Sequence, residues 1–162
     1  MPKVIKTPLP KSSQLWTMVH AGDFMDGYAV RCDLAASEAA NIGLSMPVWA
    51  DALLKVRNAI VKPFGLKTGM EDTSEGAIFP ITHETEDEII LGTDDQHLNF
   101  RIAMKREGAM IHMATWVHRN NIFGRAYLAA VMPFHIMIVR DAMRRIARHN
   151  SDGPIASTAK AQ

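Results

Sequence analysis

The segment "GTDDQHLNF", Gly92 to Phe100, places the carboxylates of Asp94 and Asp95 three and two residues ahead of His97. Acids and a histidine at that spacing can share a proton in acid–base chemistry or bind a cation. If His118 lay beside them, Asp95, His97 and His118 would form an Asp–His–His set able to ligate a divalent metal. A third histidine, His135, is the one strongly polar side chain inside the run "AYLAAVMPFHIMIV". In apolar surroundings it could be a core histidine bonded to a neighbour, a polar anchor for a ligand, or a general acid or base. As an anchor it would sit near the carbonyl that Pro133 leaves unbonded. Nucleophile elbows, phosphate loops, dinucleotide fingerprints and paired-cysteine metal motifs are all missing from the chain.

The elements that carry these residues decide between the readings. Residues 77–118 read as antiparallel strands, and "REGA" offers a two-residue hairpin turn at Glu107–Gly108. That register sets Arg106 opposite Ala109, Met104 opposite Ile111, Ile102 opposite Met113, Phe100 opposite Thr115 and Leu98 opposite Val117. Opposed residues share a face, so these make one mostly apolar surface. The other face carries Arg101 opposite Ala114, Asn99 opposite Trp116 and His97 opposite His118. A two-residue turn at Asp94–Asp95 extends the apolar face, with Leu91 against Leu98 and Ile89 against Phe100, and predicts a cross-strand ion pair between Glu88 and Arg101. On this reading the two acids make a turn, His97 and His118 lie on a solvated outer face, and no metal is bound. Trp116 on that face either covers its neighbours or marks a contact surface.

Upstream, "DGYAVRCD" alternates Tyr28, Val30 and Cys32 against Ala29 and Arg31, a strand pattern, and "DLAASEAANIG" reads as a short helix capped by Asp33 and stopped by Gly43. "SMPVWADALLKVRNAIVKPFG" is a second helix with Ser45 as cap, Pro47 in its first turn and one stripe of Trp49, Ala52, Leu53, Val56 and Ile60. Residues 67–76 form an acidic loop. The last helix runs from about Ile122 to Arg148, capped by Asn120 or Asn121. It is apolar nearly all round from Ala126 to Val139, which predicts burial on more than one side, and Pro133 predicts a kink. Its arginines, Arg140, Arg144, Arg145 and Arg148, suit the negative end of the helix dipole and need no nucleic acid to explain them.

At 162 residues the chain is long enough for one domain with a real core. The formal charge of +1 favours no charged partner, although residues 71–88 hold seven acids and no Lys or Arg. The single cysteine, Cys32, fits a reducing compartment. "MPKVIKTPLPK" lacks the apolar run of a signal peptide. The apolar run of the last helix is shorter than the ~20 residues that cross a bilayer. These features point to a cytoplasmic protein without a membrane span. The abundant methionines, including Met104, Met110, Met113, Met132, Met137 and Met143, serve either core filling or adaptable ligand contact.

The blocks "LLKVRNAIVKPFGLK", "ILGTDDQHLNFRIAM" and "TWVHRNNIFGRAYLAAVMPFHIMIVR" are similar to those of an uncharacterised bacterial family of unknown function, over roughly residues 24–148. That family resembles the START-like, birch-pollen-allergen-like (SRPBCC-type) superfamily. The resemblance implies an α+β helix-grip fold, a curved antiparallel sheet wrapped on a long, proline-kinked C-terminal helix. The domain would span 15–150, with flexible tails at 1–14 and 151–162. The implied role is binding an apolar or aromatic small molecule, without a cofactor. The ligand would lie among Leu98, Phe100, Ile102, Met113, Thr115, Val117, Tyr127, Met132 and His135. A cyclase- or hydratase-type enzyme using His135, and a homodimeric interaction protein, are the alternatives.

Overall fold

A computed structural model describes residues 3–45, 80–94 and 96–151. The chain is α+β: an open six-stranded antiparallel sheet with a long C-terminal helix, consistent with a helix-grip-like arrangement. The strands are β1 (Ile5–Lys6), β2 (Phe24–Arg31), β3 (Ile81–Glu84), β4 (Glu88–Asp94), β5 (Leu98–Glu107) and β6 (Met110–Arg119), in the order β1-β2-β6-β5-β4-β3. Helix α1 (Ala36–Gly43) follows β2, and helix α2 (Ile122–Ser151) follows β6. The helix expected over Ser45–Gly65, beyond Ser45 itself, and the loop 67–76 lie outside the described residues, as does Asp95.

Alternation assigns the faces correctly, but two registers differ from expectation. Glu107 pairs with Met110, Met104 with Met113, Ile102 with Thr115, Phe100 with Val117 and Leu98 with Arg119. The hairpin turn is therefore Gly108–Ala109. Gly108 has φ +58° and among the described residues no non-glycine residue, Ala109 included, has positive φ, the pattern of a type II′ turn with glycine first. Between β4 and β5 the partners are Ile89 and Met104, Leu91 and Ile102, and Asp94 and Asn99, so the connection is longer than a two-residue turn. Both displacements are even, which is why each side chain keeps its face. The expected Glu88–Arg101 ion pair does not form. Arg101 bonds Asp94 at 2.8 Å, and Glu88 stands opposite Lys105.

The inner face carries the main core. Tyr28, Val30 and Cys32 join Ile89, Leu91, Met104, Ile111 and Met113 from the sheet, Ala36, Ala39 and Ala40 from α1, and Val139, Ala142, Met143 and Ile146 from α2. Helix α1 begins after Ala35 rather than Asp33, with the Glu38 carboxylate accepting the Ala35 N–H at 3.2 Å. Gly43 is its last residue and not a stop beyond it. Arg145 holds the other end, its guanidinium donating to the carbonyls of Ile42 (3.1 Å), Gly43 (3.2 Å) and Ser45 and to Asp141 (3.0 Å). The Ile42 and Gly43 carbonyls belong to the last turn of α1, where a helix has no intrahelical donors to offer.

The outer face is a second core, not a solvated surface. Leu9 and Leu15, with Trp16, Met18 and Val19 beside them, pack on Ile90, Ala103, Ala114 and Trp116. The N-terminal segment is extended, as its prolines dictate, yet it is bound to the sheet. Its β1 pairs with β2, the Thr7 N–H donates to the Gly27 carbonyl at 3.0 Å, and the Trp16 indole donates to the Pro10 carbonyl at 3.0 Å. Gly27 permits this crossing, since a Cβ there would lie 2.3 Å from the Thr7 carbonyl oxygen.

Helix α2 starts where Asn121 accepts the Gly124 N–H at 3.0 Å. It is covered on one side only. Leu128, Val139, Met143 and Ile146 are buried, whereas Ile122 (75% exposed), Phe123, Phe134 and Met137 face outward. Burial on more than one side is therefore not found among the described residues. Pro133 and Ala129 are both exposed.

Candidate functional site

Strand β2 runs Phe24, Asp26, Tyr28, Val30 along the inner face, and Asp26 lies directly opposite Thr115 of β6. His135 sits at the centre of the covered side of α2, three and four residues after Met132 and Val131, which pack on the sheet. Its Nε2 lies 2.8 Å from Oδ2 of Asp26, with side-chain exposures of 20% and 9%. The other carboxylate oxygen accepts the Thr115 N–H at 3.1 Å. A carboxylate only accepts, so Nε2 of His135 carries the proton and Nδ1 is left as the second working atom of the ring. Phe24 meets the imidazole edge-on, with ring centroids 6.2 Å apart.

Around this pair the surface is apolar. Leu98, Phe100, Val117, Tyr127 and Met132 cluster with Leu128, Val131 and Phe24. Met113 and Ile102 belong to the adjoining main core. Thr115 joins the two clusters, and its hydroxyl oxygen is buried without a hydrogen-bond partner. All nine residues expected to meet a ligand thus lie in the layer between sheet and α2. Two open surface depressions lie elsewhere. One, about 560 Å³, is lined by residues that include Asp87, Lys105 and Arg106, and the other, about 360 Å³, by Ile136, Met137, Arg140, Asp141 and Arg144.

Tyr28, two residues from Asp26, has its hydroxyl pKa pushed above the ordinary value. Burial contributes most and the Asp26 charge adds to it, while Arg140 opposes both. The phenol therefore stays protonated as a hydrogen-bond donor at neutral pH. Asp26 is the member of the site that inspection of the histidines missed. The signal was present: the alternation that turns Tyr28, Val30 and Cys32 inward turns Asp26 inward too, and an inward acid needs a partner.

The Asp–His–His metal set is not assembled from the described residues. His97 bonds the Asn121 side chain at the start of α2, and Nδ1 of His118 lies 2.6 Å from Asp23. Among the described residues no group of three His, Cys, Asp or Glu side chains is placed to hold a metal. Trp116 is buried and donates its indole N–H to Asp23 at 2.9 Å, so it covers neighbours and is no contact surface. Burial alone would raise the pKa of Asp23. Bonds from His118, the His20 N–H and Trp116 outweigh it and hold the carboxyl below its ordinary range. On the same outer face His112 is pushed below its ordinary value by burial, with Glu107 opposing weakly, and its Nδ1 has no partner.

Residues 18–142 match the family described as "Protein of unknown function (DUF2867)". No curated protein matches the chain, and no solved structure does. The matched stretch contains β2, α1, β3 to β6 and most of α2, with both Asp26 and His135 inside it. The chain belongs to this family.

Proposed function

We propose that this family member is a START-like, helix-grip domain that binds an apolar or aromatic small molecule between its sheet and α2, oriented by the His135–Asp26 pair. The observation that carries the reading is that pair itself. A charged or strongly polar couple costs free energy to place in an apolar layer. Here it stands at the centre of a layer otherwise built from Phe24, Leu98, Phe100, Val117 and Met132. Apolar walls with a few convergent polar groups are what small-molecule sites are made of. The unpartnered Thr115 hydroxyl, beside Asp26 in the register, is a third polar group that a ligand could satisfy. The strand order and the helix packed on one face support the START-like assignment. A cytoplasmic, cofactor-free role belongs to the same proposal.

The test is uptake of the apolar fluorophore 1-anilinonaphthalene-8-sulfonate by the folded protein. Met113→Trp fills the layer and should abolish uptake, whereas Phe134→Ser on the outside of α2 should not. Should Met113→Trp unfold the domain, Thr115→Val and His135→Leu probe the same place without added bulk. Uptake unchanged in all three would refute the placement.

The same pair favours one second reading, a cyclase or hydratase. Asp26 would position His135, and Nδ1 of His135 would move a proton to or from the bound molecule. Turnover lost in His135→Ala and reduced in Asp26→Asn, with binding retained, is the result that would select this reading. Retained turnover in His135→Ala would remove it.

A further inference from the structure

We propose that the outward side of α2 docks on the surface of an anionic lipid bilayer. Ile122, Ala126, Ala129, Pro133 and Met137 share one stripe of the helix, with Phe123, Ala130 and Phe134 beside it. All are exposed, Ile122 and Met137 by 75% and 56%. By length and composition α2 is apolar enough to cross a membrane, yet only 11% of its apolar stretch is buried. A soluble surface rarely leaves so continuous an apolar strip uncovered.

Charge on the same side says what covers it. Arg140, Arg144 and Arg148 continue the stripe beyond Met137 at successive turns, and Ile136, Met137, Arg140, Asp141 and Arg144 line one shallow depression. The single acid of α2, Asp141, is already bonded by Arg145 at 3.0 Å. Among the described residues Arg144 and Arg148 pair with no carboxylate. An apolar strip ending in unpaired arginines matches acyl chains next to anionic headgroups. A second copy fits less well. Antiparallel packing would set these arginines against the partner's first turns, which hold Arg125 and no acid. The helix lies on the bilayer rather than crossing it, because its other side is committed to the sheet through Leu128, Val139, Met143 and Ile146. Such docking would also bring the proposed site close to where apolar molecules concentrate, although it stands on separate observations.

Co-sedimentation with phosphatidylcholine vesicles, with and without phosphatidylserine, tests it. The wild-type chain should pellet with the phosphatidylserine vesicles, weakly with phosphatidylcholine alone, and less as salt rises. Phe134→Ser/Met137→Ser should abolish pelleting. Arg144→Glu/Arg148→Glu should weaken it about tenfold or more on anionic vesicles. All four positions are exposed on α2, and circular dichroism verifies that the variants keep the fold. The proposal is overturned by folded wild-type protein that stays in the supernatant, or by pelleting that both double variants leave unchanged. It is also overturned by a lipid-indifferent dimer that Phe134→Ser/Met137→Ser converts to monomer, which would assign the surface to a second copy.

Discussion

Thr115→Val replaces a hydroxyl by a methyl of similar size at a residue that is 7% exposed. The Thr115 oxygen has no hydrogen-bond partner, although its own N–H is bonded to Asp26. Burying an unbonded hydroxyl costs about 1–3 kcal/mol in mutational series. The valine methyl carries no such penalty in this buried position. Part of the penalty is relieved in practice by small rotations of the hydroxyl. The expected outcome is therefore stabilisation near the low end, about 1 kcal/mol. Urea unfolding should show a higher midpoint at unchanged slope, and a thermal scan should show a rise of about 2–4 °C for a chain of this size. Affinity for a ligand that uses the hydroxyl should fall in the same variant. Stability and binding thus move in opposite directions, which a purely structural threonine would not do. Destabilisation by about 1 kcal/mol or more would mean that the oxygen has a good partner in the folded protein, and this support for a binding site would be gone.

Asp26→Asn and His135→Gln, alone and combined, should give a coupling energy of about 1–2 kcal/mol in urea unfolding, above the roughly 0.2–1 kcal/mol of exposed pairs; a value near zero would mean the two side chains do not act together. Arg145→Leu should cost about 2 kcal/mol, because the Gly43 and Ser45 carbonyls lose its guanidinium and the Ile42 carbonyl keeps only the Ser45 hydroxyl. Arg145→Lys should recover only part of that, since one ammonium cannot span three carbonyls. The acid limb of stability has a defined sign. The Asp23 pKa is depressed in the fold, so its contribution is present above 3.8 and is lost as pH falls through the folded value. His112 is depressed from 6.5, so protonating the unfolded chain costs stability as pH drops below that point. Asp23→Asn should flatten the limb below about pH 4, and His112→Phe the shallower fall that begins near pH 6.5.

Faces were legible in the chain and registers were not, for a physical reason. Alternation has a period of two, so it settles which of Ile102 and Arg101 points inward but is blind to displacement by an even number of residues. The displacement then rested on turn chemistry. "REGA" accommodates glycine as the first or the second turn residue, and the fold uses it first. The N-terminal segment was harder still. Pro2, Pro8 and Pro10 argue against regular structure, but a bound segment needs only that its polar backbone groups find partners and that Leu9 and Leu15 find apolar cover. The outer face therefore read as solvated until its cover was seen. His135 stood out by its apolar neighbours, whereas Asp26 was hidden among ordinary turn-like residues in "GDFMDGY". Only the strand phase, followed back from Tyr28, brings Asp26 inward to meet His135.

Native mass spectrometry of the purified chain, before and after denaturation, tests the central claim most directly. The account predicts a retained small mass on the folded wild-type protein that denaturation releases and that Met113→Trp and His135→Leu fail to retain. A wild-type protein that carries nothing, and takes up no apolar aromatic compound from a mixed set added in excess, would contradict it.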